Sequence, residues 1–439
     1  MEAQQVLLPD YVLPVRPDNV CLDDLAVVVQ GSLIEAVMPR ERALADYPAA
    51  TRVDLAGHAL LPGLINMHTH SPMTLLRGLA DDLRLNAWLK EHIWPAEGRW
   101  VGPEFVSQGT ELAMAEMLRA GTTCFNEMYF FPDVIAETVQ SAGMRAAIGM
   151  PVIDLKTPWA SDARECLARA REVHAGLQGA ERLSVTLAPH ALYTVGDEAL
   201  AELAELAGEL ELPVYMHVLE VAWEIEHSRT TYQRRPLQRL RAHGLLGKRF
   251  QAVHMAHLGA QDIDLLAETG THVIHCPESN LKLASGVCPV ADLLAAGVNV
   301  SVGTDGAASN NNLDLLGELR TAALLAKGTS GDPCVLDAGT ALELVTINAA
   351  RAMGLTDAIG SIEPGKRADL CAIDLEQPET QPLHNVLSQI VYAASNRQIS
   401  DVWVDGERLL DRGELTTIDL QRVAGRCRAW RERLRGLAA

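Results

Sequence analysis

Between residues 60 and 360 the chain alternates between short apolar segments and longer amphipathic segments. The short segments are rich in β-branched or small apolar residues, and most follow a turn signal such as AGTT, SAGMR or AAGVN, as strands do. The longer segments, for example residues 107–120 and 198–211, repeat apolar positions at helical spacing. We therefore predict eight strands separated by helices, at residues 63–70, 122–128, 145–153, 183–191, 213–218, 251–256, 272–277 and 298–305.

This alternation of strands and helices is typical of an α/β protein. A closed (β/α)8 barrel, or TIM barrel, accounts for eight such strands better than an open sheet, and we assign residues 62–361 to it. An open, doubly wound parallel sheet is the alternative that the pattern leaves.

The two flanks of this region have a different pattern. Residues 5–59 and 361–413 contain short alternating runs, such as LAVVVQGSLIEAV and SDVWVDGERLLDRGE, which are typical of strands. We expect the flanks to form one small composite β-sandwich domain from residues 1–61 and 362–415. An amphipathic stretch at residues 420–437 predicts a helix within a C-terminal segment, residues 416–439.

Charge and cysteine usage limit the partners and the compartment. The 439 residues carry a formal net charge of −20 and no cluster of Lys and Arg, so we expect neither nucleic acid nor an anionic membrane as a partner. The eight cysteines form no CxxC pair, which suits a reducing compartment. The N-terminus lacks a signal-peptide pattern, and no uncharged apolar run approaches the roughly 20 residues of a membrane span. We predict a soluble, cytoplasmic protein.

Five residues suited to metal binding or proton transfer lie at the predicted carboxyl ends of strands. His68 and His70 are two positions apart in a strand, so their side chains point to the same side. His217, His254 and Asp305 end, or nearly end, three other strands, and barrel enzymes build their active sites at that end. Imidazoles with a carboxylate suit Zn²⁺ or Fe²⁺ and leave a position for water. The alternative for the first pair alone is local hydrogen bonding at a strand end.

The number of metal ions follows from the fourth strand. A second ion would need a bridging ligand, commonly a modified Lys on that strand, and its predicted sequence LSVTLAPHA contains no Lys. We therefore predict one divalent metal per chain, with zinc favoured and iron or manganese as alternatives.

Motifs along nearly the whole chain resemble the amidohydrolase superfamily. They are Pro62-Gly63-(x)₄-His68-x-His70, His217, His254, Gly303-Thr304-Asp305-Gly306, and Gly360-Ser361-Ile362-Glu363-Pro364-Gly365-Lys366 with Ala368-Asp369-Leu370. Within the superfamily, His217-x-x-Glu220, PESNLKLASG and TDGAASNNNLDL resemble the 5′-methylthioadenosine/S-adenosylhomocysteine deaminases. Much of this pattern is shared with guanine deaminases and with triazine hydrolases of the N-ethylammeline chlorohydrolase-like group.

The resemblance implies a role for each residue. The residues implied to hold the metal are His68, His70, His217 and Asp305. Asp305 would also take a proton from water, Glu220 would protonate ring N1 of a purine, and His254 would stabilise the developing oxyanion. The alternative for Glu220 is a solvated acid, because Glu224 and Glu226 follow it.

Beyond Glu220 and Asp305, the resemblance implies four further substrate contacts. His190 would contact the substrate from the end of the fourth strand, and Trp88 would pack against the nucleoside. Glu97 would bind the ribose hydroxyls, because a carboxylate accepts two charge-assisted hydrogen bonds. The alternatives are a structural His, a half-buried Trp and an exposed Glu. Met150 takes the position at which relatives that accept S-adenosylhomocysteine carry an Arg, although Arg164 lies nearby in the sequence.

These assignments predict a zinc-dependent hydrolytic deaminase of a small-molecule nucleoside. 5′-Methylthioadenosine, converted to 5′-methylthioinosine and ammonia, is favoured over S-adenosylhomocysteine and adenosine, because Met packs well against a methylthio group. The alternatives are a guanine or pterin deaminase, a triazine chlorohydrolase, and a catalytically silent barrel scaffold. Relatives of this kind also lead us to expect a homodimer.

Overall fold

The structure is a computed structural model, and it describes residues 4–17 and 19–435. The strands, in chain order, are β1 (Gln4–Val12), β2 (Leu22–Asp23), β3 (Leu25–Gln30), β4 (Leu33–Pro39), β5 (Thr51–Pro62), β6 (Leu64–Thr69), β7 (Thr122–Met128), β8 (Arg145–Val152), β9 (Leu183–Pro189), β10 (Val214–Val218), β11 (Phe250–His254), β12 (His272–His275), β13 (Val300–Val302), β14 (Leu370–Asp374), β15 (Ile399–Val404), β16 (Glu407–Asp411) and β17 (Glu414–Leu415).

The helices alternate with the barrel strands and continue to the C-terminal segment. In chain order they are α1 (Arg40–Asp46), α2 (Leu85–Ala87), α3 (Trp94–Trp100), α4 (Pro103–Arg119), α5 (Pro132–Ala142), α6 (Ala163–Gly176), α7 (Asp197–Glu209), α8 (Trp223–Tyr232), α9 (Pro236–Ala242), α10 (Ala260–Thr269), α11 (Pro277–Lys282), α12 (Val290–Ala295), α13 (Leu315–Ser330), α14 (Ala338–Leu344), α15 (Ile347–Ala352), α16 (Val386–Tyr392) and α17 (Leu420–Leu434). A π-helical turn, Trp88–Ile93, joins α2 to α3.

The strands β6 to β13 form one sheet in which each strand pairs with the next along the chain. The two edges of this sheet meet where the backbone N–H of Asp305, just after β13, donates to the carbonyl oxygen of His68 on β6 at 2.9 Å. This approach requires a glycine, because a Cβ at Gly303 would lie 2.4 Å from the backbone nitrogen of His68. All eight predicted strands form, and the predicted TIM barrel is confirmed over an open sheet.

The chain divides into two compact units, and the first contains a separate β domain. This unit comprises the described residues of Met1–Asn66, Ala115–Cys124 and Asp314–Asp419. Its nine-stranded sheet has the order β17-β16-β15-β14-β5-β1-β3-β4, with β2 beside β1. Trp403 of β15 donates its Nε1–H to Gln5 of β1 at 3.2 Å although two strands separate them, so the sheet folds over a common core. A β domain built from both ends of the chain is confirmed, whereas its predicted boundaries stay a prediction.

The second unit contains the carboxyl ends of the barrel strands. It comprises Met67–Met114, Phe125–Leu313 and the described part of Leu420–Ala439. Helix α17 packs on α4 in this unit, where the Trp430 ring meets the Phe105 ring edge-on at 5.1 Å. The helix begins at Leu420 as predicted, and its predicted end at residue 437 lies outside the described residues. Among the helices of residues 4–17 and 19–435, none has both the length and the apolar character needed to cross a membrane.

Candidate active site

Four of the residues predicted to bind metal converge at the carboxyl ends of the barrel strands. Oδ1 of Asp305 lies 3.1 Å from Nε2 of His68 and 3.3 Å from Nε2 of His70. Nε2 of His217 lies 3.2 Å from Nε2 of His68. These residues are spread along the sequence from position 68 to position 305, and the closed barrel brings them together.

The opposite nitrogen of each imidazole is fixed by a neighbouring oxygen. Nδ1 of His70 lies 2.5 Å from the carbonyl oxygen of Met128, and Nδ1 of His217 lies 2.7 Å from that of His190. Nδ1 of His68 bonds to the hydroxyl of Tyr215. Hydrogen bonds of this kind select the tautomer and turn Nε2 of the ring toward a metal.

The charge state of the cluster fits a divalent metal. Burial lowers the pKa of His68 to about 4 and holds the pKa of His217 well below its usual range, so these imidazoles are neutral near pH 7. Burial opposes ionisation of Asp305, but the adjacent His68 and His70 hold its pKa below the usual range of a carboxyl. Neutral imidazoles together with one carboxylate form a donor set that suits zinc and similar ions.

His254 extends the same cluster. One ring nitrogen each of His254, His68 and His217 form a group whose members all lie within 4.8 Å of one another. Nδ1 of His254 lies 2.8 Å from Oδ1 of Asn280, which turns Nε2 toward the other imidazoles. His254 therefore lies close enough to His68 and His217 to share a metal ion with them.

Two serines hold the second oxygen of Asp305. The hydroxyls of Ser279 and Ser309 donate to Oδ2 at 2.6 and 2.9 Å, which leaves Oδ1 facing the imidazoles. The sequence analysis missed both serines. The signal for them was their position in PESNLKLASG and TDGAASNNNLDL, the motifs that carry the family resemblance.

The backbone is strained where it presents these groups. His254 has φ of 73° and Asp305 has φ of 63°, in the left-handed region that non-glycine residues rarely adopt. Such conformations cost about 1–3 kcal/mol each and persist where the surrounding structure enforces them. Both residues come at the end of a strand, where the unusual turn re-aims the side chain.

Glu220 is buried rather than solvated. Only 5% of the residue is exposed, its Oε2 lies 3.9 Å from Nε2 of His254, and its Oε1 accepts a hydrogen bond from Ser285 at 3.1 Å. Burial raises the pKa of Glu220 above the usual range of a carboxyl. Burial therefore favours the protonated form of a carboxyl that lies beside His254.

Glu224 holds the backbone on both sides of Glu220. Its two carboxylate oxygens accept from the backbone N–H groups of Leu219 at 3.1 Å and Val221 at 3.0 Å. Burial raises the pKa of Glu224 to about 7. Of the three acids in this run, only Glu226 is exposed.

A cavity of about 260 Å³ opens beside the cluster. The predicted site residues that line it are His70, Trp88, Glu97, His190, His217, Glu220, His254 and Asp305. Its apolar lining includes Leu85, Leu89, Ile93, Phe130 and Ile153. A mostly apolar cavity with a few polar groups is the usual form of a small-molecule site.

Met150 and Arg164 are not among the residues that line this cavity. Met150 is fully buried in β8, whereas the adjacent Pro151 lines the cavity. Because successive side chains of a strand point to opposite sides, Met150 faces away from the cavity when Pro151 faces it. Arg164 is exposed and pairs with Glu198 and Glu202. The single Lys or Arg among the lining residues is Lys156, which is exposed.

The same cavity is lined by a second buried carboxylate. Glu97 is 8% exposed, and its Oε1 accepts a hydrogen bond of 2.7 Å from the hydroxyl of Tyr129. The Trp88 ring lines the same cavity, and its buried Nε1–H has no hydrogen-bond partner among residues 4–17 and 19–435. Tyr129, which the sequence analysis missed, follows directly after β7.

Comparison with known proteins gives a consistent family assignment. The model of a family described as "Amidohydrolase family" matches residues 59–409. A protein of Teredinibacter turnerae named 5-methylthioadenosine/S-adenosylhomocysteine deaminase is 48% identical over 424 residues, with 97% of this chain and 96% of that protein covered. A protein of the same name from Saccharophagus degradans is 44% identical over 437 residues, with 100% of this chain and 98% of that protein covered.

Solved structures agree with the fold. An adenosine deaminase from Xanthomonas campestris with bound zinc is 48% identical and superposes with a TM-score of 0.95, over 99% of each chain. A triazine hydrolase from Arthrobacter aurescens superposes with a TM-score of 0.91, over 98% of this chain and 99% of that one. Its sequence identity is 22%, so this second similarity shows the fold alone.

Proposed function

We propose that this chain, which belongs to the amidohydrolase family, is a zinc-dependent deaminase of adenosine-type nucleosides that favours 5′-methylthioadenosine. The observation that carries the proposal is that two buried acids line one cavity, Glu220 beside the histidine cluster and Glu97 beside Tyr129. The names of the full-length relatives point to the same class of substrate. Zinc is supported by the solved relative that holds it.

The proposed residues for the metal are His68, His70, His217 and Asp305. When bound, a divalent ion in this donor set lowers the pKa of a water molecule toward about 7 and so makes hydroxide available at neutral pH. Neutral imidazoles with their Nδ1 atoms already hydrogen-bonded are the donors such an ion needs.

The acids divide the proton transfers. Glu220 donates its proton to ring N1, which makes C6 more electrophilic, and water oxygen adds at C6. Asp305 takes one proton from the water and passes it to the exocyclic amine, which leaves as ammonia when the C6–N bond breaks. The second water proton returns to Glu220 as the C6 carbonyl forms, so both acids end in their starting states. His254 stabilises the charge that develops on the oxygen.

The lining of the cavity supports the proposed preference for 5′-methylthioadenosine. S-adenosylhomocysteine has a tail with a carboxylate, and a charge-assisted hydrogen bond to such a group is worth roughly 1.5–3 kcal/mol. Lys156 is the cation available at the rim, and because it is exposed its pairing contributes about 1 kcal/mol or less. The uncharged methylthio group needs no such partner and suits the apolar lining.

The test measures ammonia release from 5′-methylthioadenosine, S-adenosylhomocysteine, adenosine and guanine, and chloride release from a chlorotriazine. We expect kcat/KM for 5′-methylthioadenosine to exceed that for S-adenosylhomocysteine by at least about tenfold. Lys156→Met is expected to increase that ratio. Release from guanine alone, or chloride from the triazine alone, would overturn the proposed function, whereas equal values for the first two substrates would overturn only the preference.

A further inference from the structure

Glu97 is a buried carboxylate whose hydrogen-bonding capacity is mostly unused. It is more than nine-tenths buried, and the hydroxyl of Tyr129 is its hydrogen-bond partner within the described ranges. Burial raises its pKa to about 7, and the hydrogen bond from Tyr129 opposes that rise. A carboxylate has about four lone-pair sites, so most of the capacity of this one is left for a ligand in the cavity that it lines.

The group that donates a hydrogen bond to Glu97 is the uncharged hydroxyl of Tyr129. In the described part of the chain no Lys or Arg forms an ion pair with Glu97, and the contact from the protein comes from a phenol. The pKa of Tyr129 is raised well above its usual value by burial and by the nearby carboxylates, so its hydroxyl keeps the proton that it donates. A cation would have satisfied the charge of Glu97, whereas one neutral donor orients it and leaves it able to accept further hydrogen bonds.

Tyr129 is itself held in place by the metal-binding segment. The carbonyl oxygen of the preceding residue, Met128, accepts from Nδ1 of His70 at 2.5 Å. One residue earlier, the Glu127 carboxylate accepts from Thr69 Oγ1 at 2.8 Å and from the backbone N–H of Ser71 at 3.0 Å. The end of β7 is therefore tied to both neighbours of His70, and the position of the phenol is fixed relative to the metal cluster.

We propose that Tyr129 is a positioning residue that makes the enzyme selective for substrates with a vicinal pair of hydroxyls. Its hydroxyl occupies Oε1 of Glu97 and so directs the remaining oxygen, and the charge, toward the hydroxyl pair. Because the end of β7, which Tyr129 follows, is hydrogen-bonded to His70 and to both of its neighbours, the same contact sets the distance between the sugar and the metal cluster. The inference rests on the proposed function, in which Glu97 binds a ribose.

The inference is tested with Tyr129→Phe and two substrates that differ only in the hydroxyl pair, adenosine and 2′,3′-dideoxyadenosine. Loss of a hydrogen bond to a charged group is expected to lower kcat/KM for adenosine by about tenfold, mainly through KM. The value for 2′,3′-dideoxyadenosine is expected to change less than about twofold, because it has no hydroxyl for Glu97 to accept. If the turnover of 2′,3′-dideoxyadenosine is too slow to measure, its inhibition constant against adenosine is measured in place of kcat/KM.

Three further variants make the result specific. Glu97→Gln and the double variant Tyr129→Phe/Glu97→Gln complete a cycle, in which the effect of removing the phenol is expected to be lost once Glu97 is replaced. Tyr193→Phe removes a different cavity hydroxyl and is expected to keep the native ratio between the two substrates. Metal content and melting temperature are measured for each variant, because a loss that is only structural lowers both substrates alike.

The outcomes separate the inference from the proposed function. An equal loss for both substrates in Tyr129→Phe, or no loss for adenosine, overturns the role of Tyr129. If Glu97→Gln removes the discrimination between the substrates but Tyr129→Phe does not, the inference fails and the ribose contact stands. If the native enzyme does not distinguish the two nucleosides, the ribose contact of Glu97 fails and the inference fails with it. If the native enzyme deaminates neither of them nor 5′-methylthioadenosine, the proposed function fails.

Discussion

Replacing Glu220 with Gln removes the acidic proton of this side chain and changes the shape of the site little. The amide oxygen of Gln still accepts the hydrogen bond that Ser285 gives to Oε1 at 3.1 Å, and the four proposed metal ligands are untouched. The variant cannot donate a proton to the purine ring and take one back. Such a transfer contributes typically about 10²–10⁴-fold, or about 3–5 kcal/mol of barrier. Burial raises the pKa of Glu220, which favours the acid form that the variant lacks, and we expect a loss in kcat within this range.

The assay is ammonia release from 5′-methylthioadenosine, with kcat and KM determined separately. We expect kcat to carry the loss and KM to change little, because the acid acts on the reacting ring more than on the bound ground state. Glu226→Gln is the matched control, since it makes the same change at an exposed position six residues later. A Glu220→Gln enzyme with its full metal content and near-native kcat would refute the reasoning.

Four further predictions concern metal, loop, stability and selectivity. The purified protein is expected to hold about one divalent ion per chain and His217→Ala to lose it, and metal analysis showing two ions would contradict the site described here. Glu224→Gln is expected to lower kcat about tenfold with the metal retained, because one of the two backbone N–H groups beside Glu220 loses its acceptor. Glu97 binds a proton more tightly when folded, with a pKa of about 7 against 4.5 for a free carboxyl, so native stability falls as pH rises through this window. Between about pH 5 and about pH 8, the free energy of unfolding of Glu97→Gln, measured with urea, should therefore rise by up to about 3 kcal/mol relative to that of the native protein. Met150→Arg is expected to lower the melting temperature by burying a charge and to leave the substrate ratio unmoved, and a shift toward S-adenosylhomocysteine would restore the sequence-based interpretation of Met150.

The part of the site that could be predicted from the sequence is the part that strand geometry determines. The carboxyl ends of parallel barrel strands meet at one face, so His68, His217 and Asp305 had to approach one another once the strands were located. The alternation of side chains along a strand likewise required His70 to join His68. The fold followed from the same regularity, because the eight apolar segments and the helices between them leave few other arrangements.

The remainder depends on loops and on contacts between distant residues. The bonds from Ser279 and Ser309 to Asp305, and from Tyr129 to Glu97, depend on how segments after four different strands turn, which apolar periodicity does not encode. The Met150 assignment failed to take account of strand parity, since Pro151 is the residue that lines the cavity. For Glu220 the sequence left a solvated acid as the alternative to a proton carrier, because Glu224 and Glu226 follow it.

Several features that lower the stability of the fold lie together at this site. Three acids, Glu97, Glu220 and Glu224, are buried at the cost of a raised pKa, and two strand ends adopt left-handed backbone. Each of these features lowers the stability of the fold, and none is needed to close a barrel. Glu97, Glu220, His254 and Asp305 line one cavity, and Glu224 holds the backbone on both sides of Glu220. A site organised in this way has little left to rearrange when substrate enters, and stability is exchanged for that preorganisation.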